Sequence, residues 1–310
     1  MRPIFIGGCD RSGTTMLGSM LGVHTHCVCV PESQFLIESL SYFNYTIDKV
    51  DPISVFQTIE KHPRFKLWNI KIESDNIKHM SSYPELIEYI IRVYNNKYHN
   101  KHLEVWIDHT PANIMYATTL NSLFLDTKMI HLVRDGRAVA SSLLALPWGP
   151  KSADAIALFW LQNLAYGFAA ESYYGKDRVM RVKYEDLVTD PQTTLAQICS
   201  FIGLDFQQPM LNGNGFHLPV YTRNQHALVG KRPDSSRINA WENKLTLRQI
   251  EIFEYVTGDM LQYLGYNPKF GITKARKMTF SERVISRLKY FEMLAGTYYD
   301  QLRLQYYGRF

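Results

Sequence analysis

Short apolar runs alternate with helical patterns along most of the chain. Runs of strand length cover residues 3–6, 27–30, 103–108, 128–133 and 178–182. Four of them precede segments whose apolar residues recur every three or four positions, which predicts helices over 13–22, 112–125, 136–146 and 191–202. Strands that alternate with helices indicate a parallel sheet with helices on both faces. We therefore expect an α/β fold in a single domain.

The remaining segments predict the features that surround this sheet. Residues 33–100 and 143–175 are rich in Tyr, Phe and Trp, and we interpret them as lid regions that line an acceptor site. Residues 207–240 lack periodicity and predict a long functional loop, which a helix over 247–264 follows. An amphipathic pattern over 280–307 predicts a helix that packs on its own domain or forms a homodimer contact. We accordingly expect a domain over 1–270 and a helical extension over 271–310.

Composition narrows the class of protein. The 310 residues are 46% hydrophobic, so the chain can bury a core and is not disordered. The net charge of +5 comes without like-charge runs, so nucleic acid is not an expected partner. Four cysteines without a zinc-like spacing favour reduced thiols. No apolar run reaches the roughly 18 residues of a membrane span, and the chain opens directly on a strand, so we expect a cytoplasmic protein without signal peptide or anchor.

The first strand leads into a glycine loop. Its sequence, Gly-Cys-Asp-Arg-Ser-Gly-Thr-Thr from Gly8, has two glycines at the interval of a P-loop and stands between a strand and a helix. Backbone N–H groups in such a loop bind phosphate. Thr14 occupies the position of the lysine of nucleotide triphosphatases, and Arg11 supplies the charge instead. The alternative is a glycine turn in which Ser12 caps the helix.

Three segments together point to a family. The stretch 11–15, Arg-Ser-Gly-Thr-Thr, resembles the 5′-phosphosulfate loop of sulfotransferases that use 3′-phosphoadenosine 5′-phosphosulfate (PAPS). The stretch 130–142, with Arg134 at a strand end and Ser142 eight residues on, resembles their 3′-phosphate site. The stretch 182–188 is similar to the family's segment after the last major strand.

A fourth segment, Gly-Lys-Arg-Pro from residue 230, resembles the family's loop that closes over the cofactor. The resemblance extends from residue 3 to about 265 and implies PAPS as donor and 3′-phosphoadenosine 5′-phosphate (PAP) as product. It also implies a set of nucleotide contacts: Arg11, Ser12, Gly13, Thr14, Thr15, Arg134, Ser142, Tyr184, Lys231 and Arg232.

Each of these contacts has a structural alternative. Arg134 can be a surface residue at a helix start, and Ser142 a small residue at a helix contact. Lys231 and Arg232 can form a solvated turn, while Tyr184 can be a core residue or a hydrogen-bond donor beside the nucleotide.

Sulfonate transfer needs cations for the departing phosphate and a base for the acceptor proton. The resemblance assigns the charge to Arg11, with Lys231 as a second cation. It gives the base to Glu32, as in protein-tyrosine sulfotransferases, which carry Gly-Glu where this chain has Pro-Glu. The alternative is that Glu32 caps a helix. His109 stands where many relatives have lysine, and it is a second candidate for base or pH-dependent cation.

The sequence thus predicts a PAPS-dependent sulfotransferase that acts on the hydroxyl, or the amine, of a small metabolite or natural product. A carbohydrate, a lipid or a peptide tyrosine are the alternative acceptors. We expect no metal requirement, because no carboxylate set has an evident metal spacing. A P-loop kinase and a non-catalytic nucleotide-binding protein are the rival functions.

Overall fold

Five parallel strands form the central sheet. The computed structural model describes residues 1–41, 51–146, 148–216 and 230–291. The strand order is β2-β3-β1-β4-β5, so the first strand lies at the centre. The strands are β1 (Arg2–Gly8), β2 (Cys27–Val30), β3 (Val105–Asp108), β4 (Lys128–Val133) and β5 (Val179–Lys183).

The helices fill the intervals between the strands and confirm the α/β prediction. They are α1 (Thr14–Leu21), α2 (Phe35–Ser41), α3 (Pro52–Lys61), α4 (Pro63–Lys66), α5 (Ser74–Ile77), α6 (Tyr83–Tyr98), α7 (Ala117–Leu123), α8 (Gly136–Leu143), α9 (Ala153–Tyr174), α10 (Tyr184–Thr189), α11 (Pro191–Ile202), α12 (Leu247–Thr257) and α13 (Met260–Tyr263). A further helix runs from residue 280 to the last described residue, 291.

Two predicted helices differ in detail. Instead of one helix over 112–125, a 3₁₀ turn (Pro111–Tyr116) precedes α7. The helix expected over 247–264 is divided into α12 and α13, because Gly258 adopts a φ of 55° that a continuous helix does not allow.

The parallel arrangement collects the candidate residues at one edge of the sheet. Pairs such as Ile4 with Ile107 on β3 and Gly8 with Leu132 on β4 keep the strands in register. The carboxyl ends of all five strands therefore point the same way, and the segments that follow them meet there. We call this the carboxyl edge; the other is the amino edge.

Four large aromatic residues of the region 33–100 belong to the core. Phe35, Phe65, Trp68 and Tyr94 are all buried. The Phe35 ring lies 5.2 Å from Phe65 and 5.1 Å from Trp68 between centroids, both at steep angles. The interpretation of these aromatic residues as an acceptor lining is therefore wrong, because they pack against one another and exclude solvent.

A buried ionic cluster fixes the segment after α13. The Arg137 guanidinium on α8 donates to Asp135 at 2.8 Å and to Glu254 on α12 at 2.9 Å. Glu254 also accepts the backbone N–H groups of Lys269 and Phe270 at 2.8 and 2.7 Å. Since a buried charge needs partners, these contacts hold residues 267–271 against the domain.

The helix at 280–291 is attached to the domain by polar contacts. Glu282 accepts from Arg248 at 2.8 Å, and Ser286 donates to Asp154 at 2.8 Å. Residues 292–310, which include the rest of the predicted amphipathic helix over 280–307, lie outside the described residues. The division at residue 270 and the homodimer stay predictions. Within the described ranges, no helix combines the length and apolar character needed to cross a bilayer.

Helix α9 packs closely on β4 through Gly167. A Cβ at Gly167 would overlap the imidazole of His131, whose Nδ1 lies 2.6 Å from the Glu171 carboxylate. We expect Gly167→Ala to lower the free energy of unfolding by about 1–3 kcal/mol, since the buried ring has no room to move. Chemical denaturation measures this, with Ser172→Ala on an exposed site of the same helix as control. Equal stability of the two variants would contradict the close packing.

Candidate active site

The phosphate loop, residues 8–13, has a backbone that only this glycine placement allows. Gly8 and Gly13 adopt φ values of 154° and 102°. A Cβ at Gly8 would overlap the carbonyl of Leu132, and one at Gly13 would lie 2.7 Å from the Tyr184 ring. Arg11 itself has a φ of 67°, which is unfavourable for a residue with a side chain. The strained loop is therefore held by its neighbours.

The N-terminus of α1 is not capped by a side chain. Its N-cap is Gly13, and Thr14 and Thr15 form the buried first turn. The hydroxyl of Ser12 is buried and has no hydrogen-bond partner among the described residues. The alternative that Ser12 caps the helix is therefore wrong. Uncapped N–H groups beside an unsatisfied hydroxyl form an environment suited to an anion.

Four predicted nucleotide contacts meet at this loop. Arg11 Nε donates to Ser142 Oγ at 3.1 Å, although 131 residues separate them. Arg134 donates to the carbonyl of Arg11 at 2.9 Å, and its guanidinium lies 4.0 Å from the centre of the Tyr184 ring. Arg134 Nε is buried and unpaired within the described part of the chain. A phosphate at this position would supply the missing acceptor.

Acidic groups lie beside the same loop. Glu32 follows β2, and one of its carboxylate oxygens lies 3.9 Å from Arg64 on α4. Burial, reinforced by the negative charge of Glu32, raises the pKa of Asp10 to about 6, while Arg11 and Arg64 oppose this shift. Neither Asp10 nor Arg64 is among the site residues predicted from the sequence. Asp10 stands inside the phosphate loop and was a visible candidate, whereas nothing local places Arg64 near Glu32.

His109 packs against α1 at Gly18. Its ring is buried, packs edge-on to Phe216 at 4.9 Å, and would meet any side chain at Gly18. Neither ring nitrogen has a hydrogen-bond partner among the described residues. Burial lowers the pKa of His109 to about 4, although Asp108 opposes this effect. This shift favours the neutral imidazole at neutral pH, and the role of His109 stays a prediction.

The remaining predicted cations lie on an exposed segment. The side chains of Lys231 and Arg232 are exposed, and in the described structure neither makes a contact that ties it to the phosphate loop. The neighbouring Gly230 N–H donates to the carbonyl of Gly213 at 2.8 Å. Residues 217–229 of the predicted long loop lie outside the described residues. The roles of Lys231 and Arg232 stay predictions.

Comparison with known proteins gives the class. Residues 3–208 match the model of the Sulfotransferase family, and the chain therefore belongs to that family. It is a PAPS-dependent sulfotransferase, as the sequence predicted.

The chain also resembles individual members. It is 22% identical to protein-tyrosine sulfotransferase 2 of Gallus gallus, over 86% of this chain and 69% of the relative. It is 23% identical to protein-tyrosine sulfotransferase 1 of Danio rerio, over 86% and 72%. The sulfotransferase domain of the Synechococcus PCC 7002 olefin synthase has the same fold, with a TM-score of 0.62, 23% identity and coverage of 86% of this chain and 95% of that one.

Asp10 makes stability depend on pH. Because its pKa is raised from 3.8 to about 6, the ionised carboxylate opposes folding above pH 6, and protonation relieves this cost at lower pH. We expect Asp10→Asn to raise the free energy of unfolding by about 2–3 kcal/mol at pH 7.5 and by roughly half as much at pH 5.

Urea denaturation at the two pH values measures this gain. Asp177→Asn, at an exposed turn, should have no effect at either pH. A variant Asp10→Asn that is less stable than the wild type at pH 7.5 would show that the carboxylate is needed as an ion.

Proposed function

We propose that this enzyme transfers the sulfonate group of PAPS to the hydroxyl of a small-molecule acceptor, with Arg11, Arg134 and Ser142 as its main nucleotide contacts. One observation carries the proposal: residues from the ends of β1, β4 and β5 converge on the phosphate loop with two polar groups, Ser12 Oγ and Arg134 Nε, buried and unsatisfied in the described structure. A nucleotide with two phosphate groups fits this arrangement, because each unsatisfied donor needs an acceptor.

The 5′-phosphosulfate would lie against the loop and the first turn of α1. There the N–H groups of Gly13, Thr14 and Thr15 and the hydroxyl of Ser12 can bind its oxygens. The 3′-phosphate would contact Arg134 and Ser142. Tyr184, which packs between Gly13 and the Arg134 guanidinium, keeps that guanidinium in place.

Glu32 is the proposed general base. Its side chain is 22% exposed, so a substrate hydroxyl can reach it, and the Arg64 guanidinium lies 3.9 Å from one of its oxygens. The carboxylate takes the acceptor proton while the acceptor oxygen bonds to sulfur and the bond from sulfur to the 5′-phosphate oxygen breaks. Arg11 stabilises the charge that develops on the departing phosphate, and PAP leaves. Among the described residues, His109 makes no side-chain hydrogen bond with this group and is the weaker candidate.

The rival kinase function has less support. Thr14 stands at the first helical position, where a nucleotide triphosphatase has its lysine, and the only cation within the loop is Arg11. Arginines and loop N–H groups can neutralise the phosphates alone, and we propose that turnover needs no metal ion. The described residues include four cysteines, all of them free thiols, which supports a reducing compartment such as the cytoplasm.

Arg134 is expected to distinguish PAPS from adenosine 5′-phosphosulfate, which lacks the 3′-phosphate. A hydrogen bond to a charged group contributes about 1.5–3 kcal/mol, so Arg134→Ala should weaken PAPS binding roughly ten- to hundredfold. Binding of adenosine 5′-phosphosulfate should change little. Calorimetric titration with both nucleotides measures the difference. An equal loss for both would indicate a damaged loop and no direct phosphate contact.

Glu32→Gln is expected to lower kcat by about 10²- to 10⁴-fold with PAPS affinity nearly unchanged, because the amide cannot accept the proton. His109→Gln is the matched comparison, and we expect it to retain most of kcat. The measurement is steady-state turnover together with PAP binding by each variant. If Glu32→Gln kept normal turnover and His109→Gln lost most of it, His109 and not Glu32 would be the general base.

A further inference from the structure

Three metal-ligating side chains meet at the amino edge of the sheet, away from the phosphate loop. They belong to His26, His102 and Glu104, and one ligand atom of each lies within 4.8 Å of the other two. Nδ1 of His26 lies 2.5 Å from Oε1 of Glu104, and the two imidazole centroids are 5.8 Å apart. The residues are separated by up to 78 positions in sequence, so no local motif reveals the cluster.

The backbone holds this arrangement together. His26 immediately precedes β2, and its carbonyl accepts the N–H groups of Glu104 and Val105 at 3.1 and 3.2 Å. Leu103 packs against the core, whereas its neighbours His102 and Glu104 are exposed. Alternation along an extended chain therefore places both of these side chains on the face where His26 lies. The cluster is built on paired backbone and not on a free loop.

The neighbouring Lys101 is directed away from the cluster. The Lys101 ammonium donates to the carbonyls of Gly22, His24 and Cys27 at 2.6–3.0 Å. Two imidazoles and one carboxylate, without a competing ammonium, form a donor set suited to a borderline cation.

We propose that His26, His102 and Glu104 bind a zinc ion at the amino edge, with water as the fourth ligand. Zinc prefers imidazole nitrogen and carboxylate oxygen at about 2.0–2.2 Å in a tetrahedral arrangement. To bind one ion, His26 Nδ1 and Glu104 Oε1 must move slightly apart. Both side chains are exposed, so they have room for this movement. The site joins the chain before β2 to the chain before β3.

This site is separate from the proposed sulfonate transfer. Strand β2 lies between His26 and Glu32, which places the two at opposite ends of the strand, roughly 20 Å apart at about 3.3 Å per residue. The ion would therefore take no direct part in the proposed sulfonate transfer. Its proposal does not depend on the identity of the donor or the acceptor.

Calorimetric titration of tag-free protein with ZnCl₂ tests the site. We expect one equivalent to bind with an affinity that falls at least about tenfold in His26→Gln and in His102→Gln. His79→Gln, at an exposed histidine outside the cluster, should bind zinc like the wild type. The cysteines described are buried and should not compete. Equal affinity in all four proteins, or no binding by the wild type, would overturn the proposal.

Thermal unfolding gives a second readout that does not use activity. Zinc should raise the Tm of the wild type and of His79→Gln, because a ligand that binds only the folded state stabilises it, and EDTA should reverse the increase. His102→Gln should show little increase, and its Tm without zinc should match that of the wild type because the side chain is exposed. An equal zinc-dependent increase in His102→Gln would assign the ion to other residues.

Discussion

The hydrogen bond from the Arg134 guanidinium to the carbonyl of Arg11 is the contact on which the site depends. It joins the end of β4 to the loop after β1. Arg11 has a left-handed backbone, and such a conformation persists only where the surrounding structure enforces it. The Tyr184 ring lies under the same guanidinium, so β5 contributes as well. One side chain thus couples three strands and holds the phosphate loop open for a ligand.

The charges around the loop explain how one site could both bind an anionic donor and take a proton from an acceptor. Arg11 and Arg134 meet at the phosphate loop, while Glu32 lies beside Arg64, and the charges of Glu32 and Arg64 both act on Asp10. A carboxylate there costs free energy unless a cation or a proton balances it. Burial raises the pKa of Asp10 in keeping with this cost. An acceptor would enter next to a base, and the donor would bind next to cations.

Local patterns predicted the parts of the structure that local forces determine. The strands Cys27–Val30 and Lys128–Val133 and the helix Pro191–Ile202 have the predicted bounds, because apolar runs and a proline at a helix start act within a few residues. The phosphate loop was recognisable for the same reason. The convergence of Arg11, Ser142 and Tyr184 followed only from the family resemblance, since nothing in their spacing shows that the chain brings them together.

Long-range packing accounts for what was missed. Helix α9 was not predicted, since it mixes aromatic and small residues without a clear polar face. The aromatic residues near Trp68 were interpreted as an acceptor lining because composition does not distinguish a packed core from a pocket. Arg64 lies 32 positions after Glu32, and only the fold brings them together.

Incubation of the protein with PAPS and small-molecule extracts, followed by mass spectrometry, tests directly whether it transfers sulfonate. We expect PAP to accumulate together with an acceptor whose mass has increased by one SO₃ unit, and EDTA to leave this reaction intact. Consumption of ATP with magnesium while PAPS remains untouched would contradict this expectation, as would a failure to form PAP with any acceptor across a broad panel.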